Sequence, residues 1–129
     1  MIRHADMSRF IAIGIGSNTP DGAAQVDAAC RWLATAFADV RYSESYLTPG
    51  VGVRCAGMTY RNAGATGFTE KSADEVTRML KEYESSHGRD REVPDVPIDL
   101  DLVIYGEEIL RPGDFKHMYF QKGYLQLLG

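Results

Sequence analysis

The chain has little cysteine, no excess of positive charge and no long apolar run, and each shortage narrows what it can be. Two cysteines in 129 residues, Cys30 and Cys55, make neither a disulfide framework nor a spaced metal-ligand set. They are expected to be buried thiols in a reducing compartment. Fourteen Lys and Arg stand against eighteen Asp and Glu, giving a net charge of −4 and a pI near 5.3. Such a chain has no general attraction for nucleic acid or an anionic membrane, and it lacks a basic sheet face with interleaved aromatics. A polyanionic ligand must therefore be met by a local basic cluster. No signal peptide is found, and no apolar run approaches the roughly 20 residues of a membrane span. A cytoplasmic location is expected, with neither nucleic acid nor membrane as partner. Repeats, low-complexity tracts and linkers are also missing, so residues 1–129 read as one domain long enough for a single core. Met1 to Ser8 reads as a flexible, polar lead-in, with Met7 as an alternative start.

What is present is a regular alternation of strand and helix signals. Phe10 to Gly16 is an apolar run that reads as a central strand, and it leads into the turn-rich Gly16-Ser17-Asn18-Thr19-Pro20-Asp21-Gly22. The Gly-x-Gly here is no dinucleotide fingerprint, because the third glycine is missing and Pro20 intervenes; it permits close backbone approach instead. Ala23, Val26, Ala29, Cys30, Leu33, Ala34 and Phe37 recur at helical spacing, predicting an amphipathic helix from residue 21 or 22 to about 37. Alternation over Val40 to Leu47 predicts one strand, Thr48 to Val53 a loop, and Met58 to Gly67 another strand. Ser72 with Glu75 forms a capping box for a second helix, with Val76, Met79, Leu80 and Tyr83 as its inner stripe and Gly88 as its stop. A strand over Ile98 to Tyr105 follows, then a polar tail that ends in Tyr124-Leu125-Gln126-Leu127-Leu128. The order βαββαβ predicts an α+β ferredoxin-like domain, an antiparallel sheet with helices packed on one face. Such a fold by itself assigns no chemistry.

The chemistry is concentrated in Ile98-Asp99-Leu100-Asp101-Leu102-Val103-Ile104-Tyr105, where two carboxylates interrupt a hydrophobic strand. Charge in such a position needs compensation. Strand alternation puts Asp99 and Asp101 on one face and Leu100, Leu102 and Ile104 on the other, with the two acidic α-carbons about 6.5–7 Å apart. Both carboxylates could converge on one cation or bridge two. A solvated strand start, or an ion pair with a nearby arginine, is the competing reading of an isolated Asp-x-Asp. The predicted topology sets the first strand's exit beside this acidic strand, and the second helix carries Arg78, Lys81, Glu84, His87, Arg89 and Arg91 toward it. Carboxylates facing a basic cluster suit a metal-bound polyphosphate. Solvated helix-end charges are the competing reading for Arg78 and Lys81, and less so for Arg89 and Arg91.

Gly14-Ile15-Gly16-Ser17-Asn18, Tyr46-Leu47-Thr48-Pro49, Tyr60-Arg61-Asn62, Glu84 with Gly88-Arg89-Asp90-Arg91, and Ile98-Asp99-Leu100-Asp101 with Tyr105-Gly106 occur in one order along the chain. In that order they resemble the 6-hydroxymethyl-7,8-dihydropterin pyrophosphokinase family of the folate pathway. The resemblance implies transfer of pyrophosphate from ATP, as co-substrate, to the hydroxymethyl group of the pterin. It implies that Asp99 and Asp101 hold two Mg²⁺ ions and that Arg89 and Arg91 join them in catalysis. It implies Tyr60 and Tyr124 as a sandwich for the pterin ring, Asn62 as reader of its amide edge, and Thr48, Pro49 and Val51 as a contributing loop. Glu84, Arg89, Ile104, His117, Tyr119 and Lys122 would line the nucleotide side. Packing aromatics are the alternative for Tyr60 and Tyr124, and a surface imidazole for His117.

The chain departs from the family in three places. Glu92 to Ile98 is a short, acidic, proline-containing segment in place of a longer loop with Trp and Arg; His117 to Tyr124 matches only roughly; and Gly129 falls short of the usual C-terminus. The departures keep open a catalytically weak or inactive relative that binds pterin or nucleotide as a regulatory or partner protein. They leave monomer and homodimer both possible.

Overall fold

A computed structural model describes residues 7–50 and 57–128. Its elements are β1 (Arg9–Ser17), α1 (Gly22–Ala36), β2 (Ala38–Tyr42), β3 (Tyr46–Pro49), β4 (Thr59–Thr69), α2 (Ala73–Ser86), β5 (Asp99–Tyr105), β6 (Glu108–Ile109), α3 (Pro112–Phe115) and α4 (Met118–Leu128). The strands form one antiparallel sheet in the order β2-β4-β1-β5-β6, with β3 also paired to β4, so the architecture is α+β.

β1 explains why the sheet needs cover on both faces. Ile11, Ile13 and Ile15 point to one side and are buried with Val26, Cys30 and Leu33 of α1 and Val76 and Leu80 of α2. Ala12 points to the other side, into a second apolar cluster with Val103, Ile104 and Phe120. The expectation of helices on one face is therefore corrected: α4 covers the opposite face. The segment read as a polar tail carries Phe120, Gly123 and Leu127 as its buried stripe, at helical spacing. A glycine pair lets α4 approach. A Cβ on Gly123 would lie 2.7 Å from the Gly64 nitrogen, and one on Gly64 would lie 3.2 Å from the Tyr124 nitrogen.

Extra residues in the strands account for two further corrections. The predicted Val40–Leu47 strand is split: from Tyr42 to Tyr46 the chain takes four steps while its partner takes three, from Ala65 to Asn62. The surplus is a bulge, and the buried Ser43 Oγ accepts the Gly64 N–H at 3.0 Å in its place. The strand resumes as β3, so Thr48 and Pro49 belong to a ladder with Tyr60 and Thr59 rather than to a loop. In β5 the register slips between Ala12↔Ile104 and Ile13↔Leu102, so Val103 and Ile104 both face α4. Ile104 thus lies opposite to the face that simple alternation assigned it.

α2 begins as read from the sequence. Ser72 Oγ accepts the Glu75 N–H and Glu75 returns a carboxylate to the Ser72 N–H, both at 3.2 Å. Gly88, at φ 91°, ends it in the left-handed region that favours glycine. The chain then turns back so that Arg89 and Arg91 return to the side of α2 they left. Among the described residues no helix is long and apolar enough to cross a membrane.

Candidate active site

The antiparallel register sets the site. Gly16 faces Asp99 and Gly14 faces Asp101 across β1 and β5, so the two carboxylates emerge beside positions that carry no side chain. Leu100 and Leu102 point into the core behind them. In front lies a cleft of about 200 Å³, walled by Asp99 and Asp101, by Tyr60 and Asn62 of β4, by Thr48 and Pro49 of β3, and by Arg111, Asp114, Tyr119 and Phe120 from the C-terminal segment.

The outer edge of β5 explains the basic cluster. Among the described residues only Ile104 and Tyr105 pair with β6, and the first half of the strand has no neighbouring strand on that side. Side chains at the end of α2 take its place: Glu84 Oε2 accepts the Leu100 N–H at 2.7 Å, and Lys81 Nζ donates to the Leu100 carbonyl at 2.9 Å. Arg89 Nη1 donates to the Ile98 carbonyl at 3.2 Å. Glu84 is fully buried, a position a carboxylate occupies only with partners. Its partners are Lys81 at 2.9 Å, Arg91 at 2.7 Å and Arg89 at 3.7 Å. It holds the cations in place and presents no free face to the cleft.

The acidic pair is countered from three directions. Arg89 Nη1 lies 3.2 Å from Asp99, Lys81 Nζ lies 3.2 Å from Asp101, and Arg111 Nη2 lies 3.9 Å from Asp101. The compensation is incomplete. Burial, then the charge of Asp99 and a hydrogen bond with it, push the Asp101 carboxyl up to about 7, against the pull of Lys81 and Arg111. Burial pulls the Lys81 ammonium down, but the charges of Asp101 and Glu84 outweigh it and hold it above the usual lysine range. Reading Lys81 as a solvated helix-end charge is thus corrected; Arg78 is exposed, as that reading allowed. His87 does not reach the acids: its ring stacks on Tyr83 at 3.8 Å and Nδ1–H donates to the Tyr83 carbonyl.

On the opposite wall, Asn62 is nearly buried, its Oδ1 bonded to Thr48 Oγ1 and its Nδ2 donating to the Ile15 carbonyl at 3.4 Å. Tyr60 receives a bond from Asn18 Nδ2 at 3.4 Å. Asn18 also ties down the short segment before β5: it donates to the Pro94 carbonyl at 3.0 Å and accepts the Val96 N–H at 2.6 Å.

Several residues named from the sequence stand apart from the cleft. Tyr124 is packed behind it, stacked on Phe120 at 5.1 Å and edge-on to Phe115 at 6.0 Å. Ile104 is buried in the same cluster. His117 stacks on Tyr119 at 5.0 Å, and Lys122 lies over the ring of Tyr46, on the β3 flank of α4, at 5.5 Å. Val51 lies outside the described residues. Conversely, Arg111, Asp114 and Phe120 line the cleft without having been singled out. Asp114 bonds both Arg111 Nε and the Tyr119 hydroxyl, which fixes all three. The sequence signal was available in the Arg111–Asp114 spacing of a first helical turn and in the Phe120, Gly123, Leu127 stripe.

Fold and cleft together define a class: an antiparallel α+β domain in which a carboxylate pair rimmed by cations shares a small cleft with an amide and aromatic wall. The chain is matched over residues 12–127 by the model of the 7,8-dihydro-6-hydroxymethylpterin-pyrophosphokinase family, and it belongs to that family. The family is one of pterin pyrophosphokinases of folate biosynthesis, which use ATP and Mg²⁺. A comparison with curated proteins finds no match to the chain.

Proposed function

We propose that this chain transfers the pyrophosphoryl group of ATP to the hydroxymethyl oxygen of 6-hydroxymethyl-7,8-dihydropterin. A bond forms from that oxygen to the β-phosphorus, the bond from the β-phosphorus to the α,β-bridging oxygen breaks, AMP leaves, and the hydroxyl proton passes to solvent. The observation that carries this reading is the convergence, in one cleft of a member of this family, of Asp99 and Asp101 with Tyr60 and Asn62.

The carboxylate pair fits Mg²⁺. Its donors are hard oxygens, its members repel one another, and burial, followed by that repulsion, pushes Asp101 up to about 7. No group of three or more acidic, imidazole or thiol side chains that could hold a metal occurs among the described residues. Mg²⁺ suits such a sparse set, because it commonly takes one or two carboxylates and completes its shell with water and substrate phosphate. Asp99 and Asp101 would hold two ions, which when bound neutralise phosphate charge and acidify the attacking hydroxyl. The remaining work is positioning. Arg89 and Arg91, anchored by Glu84, and Arg111, anchored by Asp114, offer donors to phosphate oxygens. Asn62 and Thr48 read the polar edge of the pterin, with Pro49 beside them. Tyr60 and Tyr119 supply aromatic surface to its ring, a role for which Tyr119 replaces Tyr124. His117 and Lys122, which lie beyond the cleft, would meet the nucleotide outside it.

We further read β2-β4-β1-β5 with α1 and α2 as a ferredoxin-like core within a single domain, acting in the cytoplasm as monomer or homodimer. The second reading, a binding relative without turnover, draws on the segment Glu92 to Pro97, which offers no arginine to the cleft and is held by Asn18. The deciding experiment is AMP formation from ATP and the pterin with Mg²⁺, in wild type, Asp99→Ala and Asp101→Ala. Pterin-dependent AMP, lowered at least about 100-fold in both variants, is the expected result. Saturable pterin binding with no AMP would overturn the enzyme reading in favour of the second.

A further inference from the structure

Lys81 is saturated in an unusual way. An ammonium has three N–H donors, and here they meet Glu84 Oε2 at 2.9 Å, the Leu100 carbonyl at 2.9 Å and Asp101 Oδ1 at 3.2 Å. The first two acceptors are fixed by the fold, since Glu84 is fully buried and Leu100 lies on the open edge of β5. The third belongs to the carboxylate pair. The ammonium therefore sits among oxygens as a metal ion would, at the Asp101 end of the pair.

We propose that Lys81 is a built-in counter-cation of Asp101, which keeps the free protein's affinity for a divalent ion low and yields the carboxylate when a polyphosphate arrives with its metal. The proposal rests on the reading of Asp99 and Asp101 as the metal-holding pair. A dication approaching Asp101 alone must either displace a cation 3.2 Å away or accept its repulsion. Arg111 at 3.9 Å from Asp101 and Arg89 at 3.2 Å from Asp99 add to that barrier. Mg²⁺ is also reluctant to shed water, so the free ion has little reason to enter. A metal–polyphosphate complex changes the balance, because its phosphate oxygens give Lys81 a new acceptor. The side chain has the freedom to make that exchange: it is 37% exposed and carries a flexible four-carbon stem. Lys81 acts through Asp101 and is a positioning residue.

The test is Mn²⁺ binding to the full chain, read without nucleotide by electron paramagnetic resonance of the free ion, and with α,β-methylene-ATP by equilibrium dialysis of the metal–nucleotide complex against protein. Wild type, Lys81→Gln and Lys81→Arg are compared. Without nucleotide, Lys81→Gln is expected to bind Mn²⁺ at least tenfold more tightly than wild type, about 1.4 kcal/mol, and Lys81→Arg is expected to restore the weak binding. Equal affinities for wild type and Lys81→Gln overturn the proposal while leaving the metal site standing. Failure of every protein to bind Mn²⁺ even with the analogue overturns the metal reading itself, and this proposal with it. A measurement on the unaltered chain guards against a misfolded variant: the ¹⁵Nζ resonance of Lys81 is expected to shift when Mg²⁺ and the analogue are added together. A resonance that stays put overturns the proposal.

Discussion

Replacing Asp101 by asparagine is expected to stabilise the metal-free protein at alkaline pH while abolishing its chemistry. Asp101 is a largely buried carboxylate beside a second one, held at about 7 against 3.8 for an exposed aspartate. A carboxyl whose pKa is raised on folding contributes its full stability below pH 3.8 and loses it as the pH rises through 7, where the charged form must be buried. At pH 8 the difference between those two values corresponds to a cost of at most about 4 kcal/mol. Asp99 shares that repulsion, so about 1–3 kcal/mol is expected for Asp101 alone. For a chain of this size that is roughly 5–10 °C in melting temperature. The assay is thermal or urea unfolding of wild type and Asp101→Asn in a metal chelator, from pH 4 to pH 8. The difference between the two curves cancels the other titrating groups. It is expected to be small at pH 4, to grow in favour of Asp101→Asn between about pH 4 and pH 7, and to level off above that. Adding Mg²⁺ with a non-hydrolysable ATP analogue is expected to raise the wild-type melting temperature and to leave Asp101→Asn nearly unmoved. An asparagine variant no more stable than wild type at pH 8 in chelator would refute the account of the pair as an under-compensated charge.

Two further outcomes follow from the packing. Glu84→Ala leaves Lys81, Arg89 and Arg91 without their common anchor and the Leu100 N–H without an acceptor, so a loss of about 3–5 kcal/mol is expected in urea unfolding, against a smaller loss for Glu84→Gln; a loss below 1 kcal/mol for the alanine variant would refute the anchoring role. In an unconstrained helix, Gly→Ala stabilises by about 1 kcal/mol, but Gly123→Ala places a carbon 2.7 Å from the Gly64 nitrogen and 2.8 Å from Ser43 Oγ. A destabilisation of about 1–3 kcal/mol is expected instead, with faster proteolysis of the C-terminal segment; the sign of the change decides.

The parts of this protein legible in its sequence are those governed by local rules. The apolar run of β1, the stripe and capping box of α2, and the stop at Gly88 depend on residues within a few positions of each other, and each lies where periodicity put it. The same holds for Asp99 and Asp101, because two residues apart on a strand means one face whatever the partner. Periodicity failed where a strand carries an extra residue. The bulges at Ser43 and Val103 depend on the neighbouring strand, and they split the expected second strand and turned Ile104 to the other face. Helical spacing in Phe120, Gly123 and Leu127 was present but short, and its meaning depended on a sheet face with room for a helix.

The sequence by itself determined that an acidic pair would share one face of an apolar strand, because side-chain alternation is a property of the chain alone. Only the tertiary structure decided which groups meet that pair. The open edge of β5 draws Glu84, Lys81 and Arg89 into a ladder that no strand among the described residues completes. The docking of α4 against Gly64 brings Tyr119 to the cleft and turns Tyr124 away from it. Those choices follow from burial, since a buried polar group must find a partner and an apolar sheet face must find a cover, and both are settled by what lies near in space.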